Sequence, residues 1–319
     1  MRFEGNGLNV IEDISQNILD LSSVSITDYY VKAGSICRQV KKEIEARSWE
    51  GKSYSELCNF VESSIINLGG KPAFPCNICA NESAAHYTAE IDEQKVVPHN
   101  SILKVDLGAH IDGCIADTAV TLCYNEELLD MAEATKSALN EALKVIKDGA
   151  RTSDVGRVVE SYASRRGYLP ISNLSGHMLD RYVIHAGTSV PNVWAPSFAS
   201  FKSDHFYAVE PFFTTSQGSG IVVEGSSENI FAIVARKNTK DQELNRFLEV
   251  VWNDRKTLPF AARWYEEQFP KKKLLEIIPK LVKLKLIHGY AELVEAKAQP
   301  VAQAEHTVAV NAGGYSILT

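Results

Sequence analysis

Long apolar runs are missing from this sequence. No stretch reaches the roughly 18 apolar residues of a membrane-spanning helix, and residues 1–30 lack the apolar segment of a signal peptide. A lysine- or arginine-rich tail is also missing, and the formal net charge is −7. This charge balance argues against nucleic acid or an anionic membrane as the main partner. We therefore expect a cytoplasmic protein that binds neither.

Cysteine is scarce, with six residues in a chain of 319. So few cysteines do not form the disulfide framework of a small secreted protein, and free thiols are the simpler interpretation. Cys76 and Cys79 form a CxxC pair that is compatible with half of a zinc site or with a redox pair. Because no second CxxC exists, we favour two small buried residues in a loop.

Helical periodicity is strong in four segments. Apolar residues recur at three- and four-residue spacing in 28–48, 53–68, 127–147 and 152–166. The second pair of helices follows the first by about one hundred residues, and each pair leads through a histidine-containing loop to an apolar strand. We therefore predict an α/β fold of two duplicated halves around a curved antiparallel sheet.

Residues 236–298 interrupt this repeat. Segments 240–253, 260–269 and 271–287 have helical patterns, and the lysines of the last segment fit a solvated helix face. A final strand pair follows, at 301–311 and 313–319. The predicted domains are an N-terminal extension (1–27), a catalytic domain (28–235 with 299–319) and an inserted helical subdomain (236–298).

Two acids interrupt the apolar strands of residues 104–120. If Ile111 and Asp112 form a two-residue turn, Asp106 lies directly opposite Asp117 on one face of the sheet, with Cβ atoms roughly 5 Å apart. Two anions at that distance repel each other, so a cation between them is expected. A register slip of one residue would place them on opposite faces.

Three more residues complete a candidate metal-ligand set. His177 and Glu210 belong to the second half, and Glu305 lies in the β-patterned run near the end of the chain. Four carboxylates and one imidazole suit two ions of Mn, Fe, Co or Zn better than one closed zinc site. Two bridged ions can generate a nucleophilic hydroxide, which is hydrolase chemistry. Asp112 is interpreted as a turn residue and the remaining histidines as structural: His99, His110, His205, His288 and His306.

The same residues carry a resemblance to a known family. Segments 71–88, 104–121, 173–187, 208–212 and 304–310 resemble the signature blocks of type 2 methionine aminopeptidases. The segment TLPFAARWY, within the inserted unit, is similar to the subdomain that distinguishes type 2 from type 1. The resemblance implies the pita-bread fold, and the short N-terminal segment resembles archaeal members.

The resemblance also implies roles for the ligand set. Asp106 would bind one metal ion, His177 and Glu210 would bind the other, and Asp117 and Glu305 would bridge the two. A hydroxide that bridges the ions would attack the carbonyl after an N-terminal methionine, and a small second residue would be preferred. Glu210 would also move a proton to or from this hydroxide.

Four further residues acquire roles from the resemblance. His86 would contact the substrate near the free amine and the scissile bond, and His185 would hydrogen-bond the peptide carbonyl. Phe74 and Ile184 would help to line the methionine pocket. The substrates implied are peptides and nascent chains that begin with methionine, the enzyme would be a monomer, and association with the ribosome fits this activity although no motif indicates it.

Two rival functions share the same fold. Proline-specific peptidases usually carry a sizeable N-terminal domain, whereas only about 27 residues precede the first helical pattern here. Non-catalytic binding proteins of the proliferation-associated type have lost metal ligands, whereas all five are present in this sequence. Both comparisons favour the aminopeptidase.

Overall fold

A computed structural model describes residues 25–319. The predicted extension 1–27 therefore lies almost wholly outside the described residues. The four helices predicted for the two halves are present, each within a few residues of its expected bounds. The helices are α1 (Ile26–Glu45), α2 (Tyr54–Asn67), α3 (Leu129–Leu143), α4 (Thr152–Arg166), α5 (Gln242–Arg255) and α6 (Lys271–Lys283), with 3₁₀ turns at Glu126–Leu128 and Ala262–Tyr265.

Sixteen short strands accompany these helices in the described part of the chain. They are β1 (Lys71–Pro72), β2 (Asn77–Ala80), β3 (Ser83–Ala85), β4 (Ile102–Ile111), β5 (Cys114–Cys123), β6 (Tyr168–Pro170), β7 (Ser175–Leu179), β8 (Ser189–Pro191), β9 (Phe206–Val209), β10 (Phe212–Thr215), β11 (Val222–Ile233), β12 (Phe260–Ala261), β13 (Ile287–Glu295), β14 (Val301–Gln303), β15 (His306–Asn311) and β16 (Gly314–Ile317).

All the strand pairs are antiparallel. In the first half, β4 pairs with β5 on one edge and with β1 and β2 on the other. The second half contains the order β16-β15-β9-β7-β8, and β14-β10-β6 continues it beyond a break in the strands. A further sheet has the order β12-β11-β13-β3. The predicted curved antiparallel sheet is confirmed.

Each half has its own hydrophobic core between a helix pair and its strands. In the first, Val40 of α1 and Val61 of α2 are buried with Val105 of β4. In the second, Leu139 of α3 and Val159 of α4 are buried with Tyr207 of β9. The duplicated arrangement follows from this packing, because each amphipathic helix pair covers the outer face of one strand set.

The segment between β11 and β13 has a third core. Phe247 of α5 and Ile277 and Leu281 of α6 are buried together, while most lysines of α6 face solvent as predicted. The prediction of a helix at 260–269 is wrong, because this segment forms β12 and a 3₁₀ turn that packs Tyr265 and Phe269 inward. Strand β13, which pairs with β11 and β3, was not predicted from the sequence.

Two expectations based on scarcity can be compared with the structure. None of the six cysteines, all within the described residues, forms a disulfide. Cys76 and Cys79 are buried as predicted, but Cys79 lies in β2 rather than in a loop. Between residues 25 and 319, no helix is long and apolar enough to cross a membrane.

Candidate metal centre

The β4–β5 hairpin carries the first two acids of the site. Its two-residue turn is Asp112–Gly113, with φ of 48° and 84°, rather than the predicted Ile111–Asp112. Both residues have the positive φ of a type I′ turn, which Asp-Gly favours. The prediction that Asp106 faces Asp117 is therefore wrong, because Asp106 pairs with Ala119 and Asp117 with Gly108.

The two acids nevertheless share one face of the hairpin. The partner of Asp106 moves from residue 117 to residue 119, which is a shift of two and preserves the alternation of faces. Asp117 is thus the diagonal neighbour of Asp106 rather than its direct partner. Gly108, opposite Asp117, leaves space for the Phe74 ring, because a Cβ there would collide with that ring.

Glu210 and Glu305 occupy matching breaks in two neighbouring strands. Glu210 follows β9 and Glu305 precedes β15, so the prediction that Glu305 lies inside a strand is wrong. The pairs His306–Val209 and Gln303–Phe212 flank the break on either side. The same register therefore places the two glutamates opposite each other. The backbone hydrogen bonding between the strands is interrupted there, so these two side chains need not follow the in–out alternation of a strand.

The two halves meet beside Asp117. The backbone N–H of Asp117 donates to Thr307 Oγ1 at 2.7 Å, and that hydroxyl donates to the Asp117 carbonyl at 2.8 Å. Thr118 Oγ1 donates to the carbonyl of Glu305 at 2.8 Å. These threonines bridge β5 to the strand β15, so acids from both halves face the same space.

His177 completes the cluster from β7, a strand rather than the predicted loop. Its Nε2 lies 3.7 Å from Asp117 Oδ2 and 3.6 Å from Glu210 Oε1. Carboxylate oxygens of Asp106, Asp117 and Glu305 lie within 4.8 Å of one another. The structure therefore brings all five predicted ligands together.

Burial shifts the acid–base equilibria of this cluster strongly. It raises the pKa of Asp106 to about 7, and burial together with neighbouring acids raises the pKa values of Asp117, Glu210 and Glu305 well above their usual range. The pKa of His177 falls to about 3 because burial disfavours its charged form. Such a site holds its carboxylates ionised only when positive charge is close.

The donor set fits divalent cations. Within residues 25–319, Asp106 Oδ1, Asp117 Oδ1 and Glu305 Oε1 are buried without a hydrogen-bond partner. Unpaired buried carboxylate oxygens are costly, and oxygen-rich sites with one imidazole bind Mn, Fe, Co and Zn. The cluster therefore has the chemistry of a metal centre.

Gln303 is a member of the site that sequence reasoning missed. Its side chain is 1% exposed, and Nε2 lies 3.3 Å from both Asp106 Oδ2 and Glu305 Oε2. The sequence carries no regular signal for this contact, because Gln303 ends β14 and Glu305 lies in the break before β15.

A cavity of about 470 Å³ opens above the five ligands. His86, His185, Phe74 and Ile184 all line it. Its apolar walls also include residues that sequence reasoning did not identify: Leu174, Phe212, Ile230, Pro259, Tyr290 and Leu293. Tyr290 and Leu293 come from β13, the strand that the sequence did not reveal.

His86 and His185 both line the cavity beside the ligands. The rings of His185 and His177 lie 4.4 Å apart, in an edge-to-face arrangement. His86 follows β3 with a positive φ of 67°, and its ring contacts Tyr290. Burial and, to a smaller extent, the nearby His185 lower the pKa of His86 to about 4, so His86 is neutral at pH 7.

Comparison with known proteins identifies the family. The model of metallopeptidase family M24 matches residues 28–231. The chain belongs to this family. It is 41% identical over 291 residues to the methionine aminopeptidase of Thermococcus kodakarensis, covering 91% of this chain and 98% of the relative. It is 40% identical over 290 residues to that of Thermococcus onnurineus, with the same two coverages. The resemblance to methionine aminopeptidases is therefore confirmed.

Solved structures confirm the pita-bread fold. A thermophilic Arx1 has a TM-score of 0.79 at 14% identity, covering 93% of this chain and 91% of its own. The methionine aminopeptidase of Thermotoga maritima has a TM-score of 0.66 at 21% identity, covering 92% and 95%. At these identities, the likeness concerns the fold of this M24 metallopeptidase.

Proposed function

We propose that the protein removes the N-terminal methionine from peptides and nascent proteins with a small second residue. The observation that carries this proposal is the convergence of five metal-ligand side chains beneath an apolar cavity. The family membership and the names of relatives that match nearly the whole chain support it. The reaction class is metal-dependent peptide hydrolysis.

The ligands divide between two proposed ions of Co, Mn, Fe or Zn. Asp106 would bind one ion, His177 and Glu210 would bind the other, and Asp117 and Glu305 would hold both. Bound divalent ions supply a nucleophilic hydroxide at neutral pH and polarise the scissile carbonyl. The buried carboxylates support this assignment, because their raised pKa values mean that cations must be near for all four to be ionised.

Three residues of the chain would act on the substrate or its protons. Neutral His86 can accept a hydrogen bond from the free amine of the peptide, which fits its depressed pKa. His185, on the cavity wall, would donate to the oxygen of the scissile carbonyl as its carbon becomes tetrahedral. Glu210 would take up a proton at a carboxylate oxygen and deliver it to the leaving amine.

The lining of the cavity supports the proposed choice of substrate. Phe74 and Ile184 face it and would contact the methionine side chain, which is unbranched and apolar. The preference for a small second residue is the one that the family resemblance implies. Nascent chains as substrates, association with the ribosome, a monomeric state and a cytoplasmic location stay predictions.

Peptide hydrolysis by metal-stripped protein tests this function. The protein is re-supplied with Co(II), Mn(II), Fe(II) or Zn(II), and amino-acid release is measured from Met-Ala-Ser, Met-Pro and Gly-Pro. We expect metal-dependent methionine release from Met-Ala-Ser and a large loss in His86→Ala. Preference for Gly-Pro would indicate a proline-specific peptidase, and inactivity with every ion would indicate a binding protein.

A further inference from the structure

The loop that carries His185 and Ile184 is held by its neighbours through Tyr182. We propose that Tyr182 is a positioning residue that fixes His185 over the metal centre and Ile184 against the methionine pocket. This inference rests on the proposed function, because it assumes that His185 contacts the substrate. The loop runs from the end of β7 at Leu179 to the start of β8 at Ser189.

Apart from its edge-to-face contact with the His177 ring, the His185 ring has few constraints of its own. Its residue is exposed at the cavity wall, and among the side-chain hydrogen bonds of residues 25–319 none involves its ring. A flexible imidazole in that position would spend little time at one geometry. The placement of His185 therefore depends on the backbone of the loop.

The first attachment of the loop is the turn of the β4–β5 hairpin. The N–H of Tyr182 donates to the carbonyl of Gly113 at 2.9 Å, and the Tyr182 hydroxyl donates to Asp112 Oδ1 at 3.1 Å. The Tyr182 ring lies directly over Gly113, where any Cβ would collide with it. Arg181 adds a hydrogen bond from Nε to the Asp112 carbonyl at 2.8 Å and an ion pair with its carboxylate.

The second attachment comes from the segment after α5. Thr257 Oγ1 donates to the carbonyl of Tyr182. The next residue, Leu258, is fully buried in a cluster that includes Phe74, and Tyr182 and Ile184 pack against that cluster. Tyr182 thus joins the hairpin turn, the segment after α5 and the pocket wall.

The backbone of Tyr182 is in a conformation that its side chain disfavours. Its φ is 59°, which is uncommon for a bulky residue and persists only where the surroundings enforce it. Asp180 and Val183 exchange two backbone hydrogen bonds of 2.9 Å around it, forming a tight reversal. Three residues later the chain reaches His185, so a change at Tyr182 is transmitted directly to the imidazole.

Glycine at position 182 provides the sharpest test. Tyr182→Gly tolerates φ of 59° and keeps the hydrogen bonds of the residue's own N–H and carbonyl, to Gly113 and Thr257. It removes the ring and the hydroxyl. Tyr182→Phe removes only the bond to Asp112. Lys285→Gly is the matched control, since Lys285 also has a positive φ of 55° but lies in the turn after α6.

Each variant is made in the wild-type chain and in a His185→Ala chain. The kcat and KM for Met-Ala-Ser are measured with saturating Mn(II), together with the affinity for Mn(II). We expect Tyr182→Gly to lower kcat by on the order of 10- to 100-fold in the wild-type chain and by less than about twofold in the His185→Ala chain. Tyr182→Phe should lose less, and Mn(II) affinity and the Lys285→Gly kcat should stay unchanged.

Different results would contradict the role of His185 and the positioning role of Tyr182. If His185→Ala retains the wild-type kcat, the proposed role of His185 is wrong. If His185→Ala lowers kcat but Tyr182→Gly acts equally in both chains, or not at all, only the positioning role is wrong. Should Tyr182→Gly fail to fold, Tyr182→Phe and Thr257→Val are compared in the two chains under the same criteria.

Discussion

At the scale of single residues, the amide of Asn77 fixes the backbone on which His86 stands. Asn77 Oδ1 accepts a hydrogen bond from the His86 N–H at 2.7 Å, and Nδ2 donates to the carbonyl of Pro75 at 2.9 Å. Asn77 is 4% exposed and pairs with Asp106 in the ladder between β2 and β4. The left-handed backbone of His86 is therefore tied to the strand beside the metal centre.

Replacement of Asn77 should misplace His86. Asn77→Ala leaves the partly buried His86 N–H without its partner, and we expect kcat for Met-Ala-Ser to fall by on the order of tenfold. Metal affinity should change little, because no ligand is removed. Asn311→Ala is the control, because Asn311 is exposed at the end of β15 and its Oδ1 accepts from the N–H of Gly313. An unchanged kcat in Asn77→Ala would show that His86 does not need this support.

The buried carboxylates make a prediction about pH. In ion-free protein, a folded-state pKa of about 7 means that Asp106 keeps its proton where the unfolded chain, with an ordinary pKa of about 4, has released it. The contribution of protonated Asp106 to the free energy of unfolding is fully present below about pH 4. It decreases as the pH rises above 4 and is lost as the pH passes 7. The free energy of unfolding in chelator should therefore be lower at pH 8 than at pH 5.

Urea unfolding at the two pH values checks this expectation. The pH-dependent loss should be smaller in Asp106→Asn, by up to about 1.4 kcal/mol for each pH unit. Saturating Mn(II) should abolish the loss in the wild type, because ion binding favours the folded, ionised site. Equal ion-free stability at pH 5 and pH 8 would contradict the account of the site.

At the scale of elements, the metal centre depends on the contact between β5 and β15. Thr307 is buried, and its hydroxyl both accepts from the N–H of Asp117 and donates to its carbonyl. Asp117 would be a bridging ligand, so the contact that joins the two halves also positions a ligand. No local pattern indicates such a contact, because it joins residues 190 positions apart.

Loss of the Thr307 hydroxyl should damage both stability and metal binding. Thr307→Val keeps the shape of the side chain but leaves the N–H of Asp117 unpaired, and we expect a loss of about 1–3 kcal/mol. Thr135→Val is a matched control, because that buried hydroxyl only donates within α3, to the carbonyl of Met131. Similar losses of stability and no change in Mn(II) affinity would contradict this role for Thr307.

Particular elements show what the sequence could predict. Periodicity located α1 to α4, because one face of each helix is buried over its whole length. Asp106 and Asp117 were correctly placed on one face of the hairpin although the turn was misassigned. The error shifted the strand register by two residues, which does not change the face on which a side chain lies. In contrast, the prediction of a helix at 260–269 failed. The apolar residues of this segment are spaced as in a helix, but they pack inward from a short strand and a 3₁₀ turn, because tertiary contacts decide the local structure there. The cavity wall from β13 was missed for a different reason, because most of that strand is half-buried and its burial does not alternate from residue to residue.

At the scale of the whole molecule, a buried ion pair links the segment after α5 to the first half. Arg263 donates to both carboxylate oxygens of Glu62 on α2, at 2.7 and 2.6 Å, and Trp264 Nε1 donates to the same carboxylate at 2.8 Å. Glu62 also accepts from the N–H of Cys76 at 3.1 Å. The Glu62 carboxylate therefore connects α2 to the 3₁₀ turn at Ala262–Tyr265 and to the residue that precedes β2.

Neutralising that carboxylate should weaken the whole fold. Glu62→Gln leaves a buried arginine without its counter-charge, and we expect a loss of about 3–5 kcal/mol in the free energy of unfolding. Glu141→Gln removes an exposed ion pair with Lys144 and should cost less than about 1 kcal/mol. Urea unfolding followed by tryptophan fluorescence compares the two variants, and equal losses would contradict a linking role for Glu62.

The most direct test of the central claim is calorimetric titration of chelator-treated protein with Mn(II). We expect two ions to bind per chain, Asp117→Asn to weaken binding by at least about tenfold, and Asp154→Asn, on the surface of α4, to bind as the wild type does. Absence of saturable binding, or equal binding by Asp117→Asn and the wild type, would contradict the claim that this cluster is a metal centre.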